Sequence, residues 1–213
     1  MQRPDRMLAA AAALMAAFGA LTVLVALEPA SPPAIAPTDD AWRRLVLEAP
    51  TWAADASQVL KTVGAGIVMV PLRVLVALWL LARRRRQELA AWLIAWVVAD
   101  VVAFVVKPAI GRVRPDLSAA TSFPSAHAKT AAQVAVGLVL VGTGSLRART
   151  VQWIFASLWI VAMAISRTVL DEHWVSDVVA GSVLGMGCAI GTWGFVLRWR
   201  SRRPSARAST APR

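Results

Sequence analysis

Six apolar stretches of 17–24 residues, each with at most two charged side chains, dominate the chain at 7–27, 59–82, 89–106, 127–144, 150–166 and 175–197. A helix needs roughly 20 residues to cross the hydrocarbon core of a bilayer, and its backbone polar groups must then be satisfied within the segment. Six such spans use about 120 residues, which leaves no room in 213 for a separate soluble domain. The expected fold is therefore all-α, a polytopic membrane protein with six transmembrane helices. Composition agrees: 58% of residues are hydrophobic and 16% charged, against about 45–50% and 25% in soluble domains. That excludes a disordered chain, a disulfide scaffold and an ordinary soluble enzyme. The single Cys188 lies inside the last stretch and reads as a small packing residue with no disulfide partner.

A net charge of +11 would point to nucleic acid in a soluble protein, but here the charges sit at the ends of spans. Arg3 and Arg6 precede the first, Arg83 to Arg86 divide the second from the third, and Arg147 and Arg149 divide the fourth from the fifth. Arg198, Arg200, Arg202, Arg203, Arg207 and Arg213 follow the sixth, so fourteen of the 23 basic residues fall on alternate breaks. By the positive-inside rule these breaks and both termini are expected in the cytoplasm. The breaks 28–58, 107–126 and 167–174 then face outward, with the chain in the plasma membrane. The first apolar run exceeds the length usual in a signal peptide, and no clean small-x-small site follows it. It is therefore expected to stay as a helix. Within 28–58, Pro29, Pro32, Pro33 and Pro37 forbid a regular helix, whereas Thr38, Asp39 and Asp40 offer a cap and an acidic first turn to a short interfacial helix. That helix carries Trp42, Leu45, Val46 and Ala49 on one side, and Trp52 follows it. Residues 1–197 read as one domain, and 198–213 as a basic, disordered cytoplasmic tail. Gly181, Gly185, Gly187 and Gly191 give small-xxx-small spacings suited to helix packing.

Ionisable groups beside membrane spans are costly and therefore informative. Lys107, Arg112 and Arg114 follow the third span, Ser125, His127 and Lys129 begin the fourth, Arg167 ends the fifth, and His173 and Asp177 open the sixth. Topology alone brings them to one membrane face, with both histidines of the chain among them. Arg forks and a Lys point charge match phosphate oxygens. Ser125 and the N–H groups after it stand at a helix start, an anion site. His173 and Asp177, four apart, share a helix face, so the carboxylate can fix the imidazole tautomer while a second His protonates a leaving oxygen.

The pattern Lys107-x6-Arg114-Pro115, then Pro124-Ser125-Ala126-His127, then Ser166-Arg167-x5-His173-x3-Asp177 resembles the three-part signature of the type 2 phosphatidic acid phosphatase (PAP2) superfamily. That superfamily includes lipid phosphate phosphatases, bacterial undecaprenyl-diphosphate and phosphatidylglycerophosphate phosphatases, and vanadium haloperoxidases. The motifs occupy 107–177, and the six-span layout extends the resemblance to nearly the whole chain. It implies hydrolysis of a lipid phosphate or diphosphate in which His173 attacks phosphorus to form a phosphohistidine. Asp177 would orient His173, and His127 would protonate the leaving group and later help activate water. Lys107, Arg114, Ser125, the Ala126 amide and Arg167 would hold the phosphate oxygens, with no metal and no cofactor. Two departures stand out: Ala126 replaces the usual Gly, and only eight residues separate Pro115 from Pro124. The short loop implies a site close to the bilayer surface.

The expected partners are a lipid phosphate substrate and membrane lipids, not nucleic acid, and the Arg-over-Lys bias and short chain look bacterial. A phosphotransferase on the same scaffold and a non-catalytic transporter are the rival readings. Outside the motifs, Arg112 and Lys129 read as headgroup contacts, Asp171 and Glu172 as solvated loop carboxylates, and Asp116 as a turn residue. Arg73 and Asp100 lie at similar depths in the second and third spans and are expected to pair as a brace.

Overall fold

The structure, a computed structural model, describes residues 4–28 and 35–202. These form eight helices: α1 (Pro4–Leu27), α2 (Ala36–Leu47), α3 (Thr51–Gly64), α4 (Gly66–Ala82), α5 (Arg86–Ile110), α6 (Ala126–Val141), α7 (Leu146–Val169) and α8 (Val175–Ser201). No strand occurs among the described residues. Helices α1, α5, α7 and α8 are each long and apolar enough to cross a membrane. The expected second span is broken instead. It starts earlier, at Thr51, and bends by 45° where α3 meets α4, giving a fifth crossing if the pair is one span. The break falls at Gly64-Ala65-Gly66, where small residues leave little side chain to hold a straight helix.

Helix α6 has 16 residues, fewer than a straight crossing takes, yet it is the centre of the bundle. Twelve of its residues are buried, the mark of a helix enclosed by protein on nearly every side. Its small residues allow that. Helix α8 comes so close that a Cβ on Gly181 would stand 2.4 Å from the Ser125 carbonyl oxygen, and one on Gly185 2.2 Å from that of Lys129. The other glycine-bearing face of α8 packs on α1, where a Cβ on Gly187 would meet Met15 at 2.9 Å. The glycines singled out in the sequence thus serve two neighbours.

Two expectations are corrected. The N-cap of α2 is Ile35, without a side-chain cap, and Pro37 lies in its first turn; Asp39 does lie in that turn, but its carboxylate is buried and accepts from Ser176 N at 2.9 Å and Ser176 Oγ at 2.7 Å, at the start of α8. Helix α8 continues to Ser201, four residues into the segment read as a tail. Residues 203–213, and Pro29, Pro32 and Pro33, lie outside the described residues.

Arg73 Nη1 reaches Asp100 Oδ2 at 3.2 Å, as their depths imply. Lys129, read as a headgroup contact, turns inward and bonds the other oxygen of Asp100. Trp96 Nε1 donates to Asp100 Oδ2 at 2.8 Å. One carboxylate thus serves two cations, which makes the two single substitutions unequal. Asp100→Ala would leave two like charges facing each other, whereas Arg73→Ala leaves a neutral Asp100–Lys129 pair. Thermal unfolding in detergent should show Asp100→Ala as clearly the more damaging, and the double variant as less harmful than the sum. Equal, additive losses would mean that the three groups do not act together.

Candidate active site

The three segments that topology assigns to one face do meet. Ser125 N donates to Asp177 O at 3.0 Å, tying the start of α6 to the start of α8. Asp116 N donates to Asp171 O at 3.1 Å, tying the α5–α6 loop to the α7–α8 loop. Gly111 ends α5 at φ +59° with its N–H on Lys107 O, a left-handed C-terminal residue that Gly adopts at little cost. The chain is thereby turned back over the bundle within a few residues. Lys107 Nζ, in the last turn of α5, donates to Thr121 O at 2.7 Å.

His173 is buried, with Nδ1 3.5 Å from Asp177 Oδ2 and 3.4 Å from Ser122 Oγ. This pairing leaves Nε2 as the ring nitrogen free to react. Asp177 is fully buried and multiply held: Oδ2 accepts from Ser122 Oγ and from Trp174 N at 3.0 Å, and Oδ1 from Arg112 Nη1 at 2.8 Å. Burial pushes the His173 pKa below the ordinary histidine value, and Asp177 opposes that; the nearby Lys107 and Arg114 add to the lowering. A neutral imidazole near neutral pH suits a nucleophile.

Around this dyad stand buried polar atoms with no protein partner: Arg114 Nε, Ser125 Oγ, His127 Nε2, and Arg167 Nε and Nη1. They come from all three motifs. Buried donors are normally satisfied, so this cluster fits a ligand rich in acceptor oxygens, as a phosphate is. The first-turn N–H groups of α6, beginning with Ala126, lack intrahelical acceptors and add an anion-favouring helix start. Lys107, Ala126 and His127 also line one cavity of about 320 Å³. Among the described residues no three of His, Cys, Asp and Glu converge in a way that could hold a metal.

Every motif residue thus lies in one neighbourhood, but several others belong there that the sequence reading had placed elsewhere. Arg112 is no headgroup contact. Besides Asp177 it bonds Asp39 at 2.7 Å, Glu28 at 3.2 Å and Ser176 Oγ at 2.6 Å. Asp171 and Glu172 are not merely solvated: Asp171 pairs with Arg43 at 2.6 Å, while Glu172 bridges Lys61, at 2.5 Å, to Arg167. Burial works to raise the Glu172 pKa, yet Lys61, Arg167 and Arg114 together hold it below the usual carboxylate range. Glu172 takes one nitrogen of Arg167 and leaves the other two for a ligand. Asp116 is the expected turn residue, accepting from Ser118 N at 2.9 Å. Trp174 sits with Arg112 and Arg43 over its ring at 5.5 and 5.9 Å. The missed groups left one local signal, a second Arg two residues before Arg114.

Comparison with known proteins points to one family. The sequence pattern of the PAP2 superfamily matches residues 89–201. The fold is similar to the crystal structure of a transmembrane PAP2-type phosphatidylglycerolphosphate phosphatase from Bacillus subtilis, with a TM-score of 0.74 at 25% identity, covering 95% of this chain and all of that one. Over 82 residues the chain is 39% identical to lipid A 1-phosphatase of Porphyromonas gingivalis, a stretch that is 38% of this chain and 17% of that protein's length.

Proposed function

Because this chain belongs to the PAP2 superfamily, we propose that it is an integral membrane phosphatase that removes a terminal phosphate from a lipid phosphate or diphosphate through a phosphohistidine. The observation that carries this reading is the set of unpartnered, buried Arg114, Ser125, His127 and Arg167 atoms around the His173–Asp177 dyad. His173 Nε2 attacks phosphorus as the bond to the lipid oxygen breaks, and the phosphoryl group moves to the imidazole. His127 gives its proton to the departing lipid oxygen. Water then attacks the phosphohistidine, His127 takes a proton from it, and inorganic phosphate leaves with His173 restored. Asp177 fixes the His173 tautomer throughout, with Arg112 and Ser122 holding Asp177. Lys107, Arg114, Ser125, the Ala126 amide and Arg167 hold the phosphoryl oxygens while charge develops on them.

The test is phosphate release by the purified protein in EDTA, from phosphatidic acid and from a polyprenyl diphosphate. Release from at least one, insensitive to the chelator, is expected. Loss in EDTA restored by a divalent ion would overturn the mechanism, transfer to a lipid acceptor without phosphate release would make the protein a phosphotransferase, and inertness would favour a transporter. In the same assay His127→Ala should lower turnover of the lipid by roughly 10²–10⁴-fold. A substrate with a good leaving group, p-nitrophenyl phosphate, should lose far less, because its phenolate departs with little help. Equal losses on both would remove His127 as the general acid.

We also propose six crossings, with α3 and α4 together as one bent span and α6 as a short one enclosed by protein. Helix α2 then lies in the interface on the outer side, the site faces outward, and both termini are cytoplasmic, in keeping with the Arg-rich alternate breaks. A cysteine introduced at Ser118 in a Cys188→Ser background should react with a membrane-impermeant thiol reagent in intact cells, and one at Ser145 should not. Reversed labelling would place the site in the cytoplasm.

A further inference from the structure

The cavity that holds Lys107 and His127 does not stop at the phosphate site. It continues between α4, α5 and α6 to Arg73, Asp100 and Lys129, with Val70 and the largely exposed Phe104 on its wall. Asp100 stands seven residues from Lys107 on α5, about 10 Å along the helix axis. This deep end is polar and cationic, two cations sharing one carboxylate. Arg73 is 2% exposed, and its Nε and Nη2 have no protein partner. Its Nη1 is fixed by Asp100, its guanidinium rests on the Trp96 ring at 5.1 Å, and its backbone carbonyl accepts from Trp92 Nε1 at 3.1 Å. A structural brace needs one cation for one carboxylate. The second cation, and the unused donors of Arg73 beside a cavity, call for an acceptor from the ligand.

Building on the lipid phosphatase reading, we propose that Arg73 and Lys129 form a second subsite that donates hydrogen bonds to the acyl-ester carbonyls of the substrate. With a glycerolipid phosphate held at the rim, its ester carbonyls fall a few bonds past the phosphate, on the way down this cavity. A prenyl phosphate has no oxygen beyond its phosphates, so it would leave Nε and Nη2 of Arg73 without an acceptor. The substrate class favoured is therefore an acyl-ester lipid phosphate.

The test compares phosphatidic acid with its dialkyl ether analogue of equal chain length, which lacks only the two carbonyls. Full-length protein in mixed micelles should show kcat/KM about 5- to 20-fold higher for the diacyl lipid, with binding measured by native mass spectrometry showing the same order. In Arg73→Met the ratio should fall close to one. That variant keeps a neutral Asp100–Lys129 pair, and if it fails to fold, the wild-type ratio still decides. Equal kcat/KM and equal binding in the wild type would overturn the subsite. So would an Arg73→Met protein that loses activity on both lipids in parallel with the ratio intact, since Arg73 would then be only a brace. Selective binding of the diacyl lipid without phosphate release from either would instead sink the phosphatase reading and leave the subsite standing.

Discussion

Replacing His173 with alanine should abolish phosphate release, a loss of more than roughly 10⁴-fold, and with it any covalent phosphoenzyme. Nδ1 is turned to Asp177 and Ser122, so Nε2 alone can attack, and without it the displacement cannot be divided into two easier steps. Rapid quench with labelled lipid should trap an acid-labile, base-stable phosphoryl group in the wild type and none in His173→Ala. The pH profile carries a second signature. Burial lowers the His173 pKa, so the imidazole stays neutral below its ordinary value of about 6.5, and the acid limb of kcat/KM should fall at a pH below that. Asp177→Asn removes the opposing, raising influence and should move that limb lower still while reducing the rate. A phosphoenzyme persisting in His173→Ala would assign the nucleophile elsewhere.

The second large effect belongs to Arg112. One guanidinium sits among Glu28, Asp39 and Asp177, none of them more than about a sixth exposed. Arg112→Ala would leave three carboxylates in a poorly solvated pocket with no cation among them, a situation that costs about 3–5 kcal/mol when one partner of a buried pair is removed. Folded yield and melting temperature in detergent should fall sharply, and the surviving fraction should turn over more slowly, because Asp177 has lost the contact that fixes Oδ1. Arg112→Lys should recover part of the stability but little of the rate, since a single ammonium cannot reproduce a planar fork that meets Asp177 and Ser176 through one nitrogen and Asp39 through another. Wild-type melting and turnover in Arg112→Ala would show that Ser122 and Trp174 N suffice to hold Asp177.

Arg112 also marks where the sequence stops being readable. The apolar runs announced the helices and the motif spacing announced the family, because each is written in contiguous residues. The partners of Arg112 lie 65, 73 and 84 positions away, and nothing local distinguishes an Arg that meets three carboxylates from one that meets headgroups. Asp39 is legible for the same reason only in part: its place in the first turn of α2 is local, but its partner Ser176 lies 137 positions away. Lys129 was hidden by snorkelling, which any long basic side chain near a helix end permits. The break between α3 and α4 was different. Its Gly-Ala-Gly was in view, but hydropathy alone runs smoothly through it.

The glycine faces of α8 bear on how a chain like this can be altered. Asp177 rides on α8, with His173 in the loop that leads into it, and that helix is locked on one side to α6 and on the other to α1 by contacts that admit no added methyl group without displacement. One wall of the cavity beside Lys107 and His127 belongs to α4, which follows a bend. Selection for a new lipid, natural or in the laboratory, therefore has its freedom at the exposed Ile67, Val68 and Val70 of α4, which lie outside the buried core. A library confined to that short stretch should yield variants with shifted lipid preference, and one spread over α8 should yield mostly inactive protein.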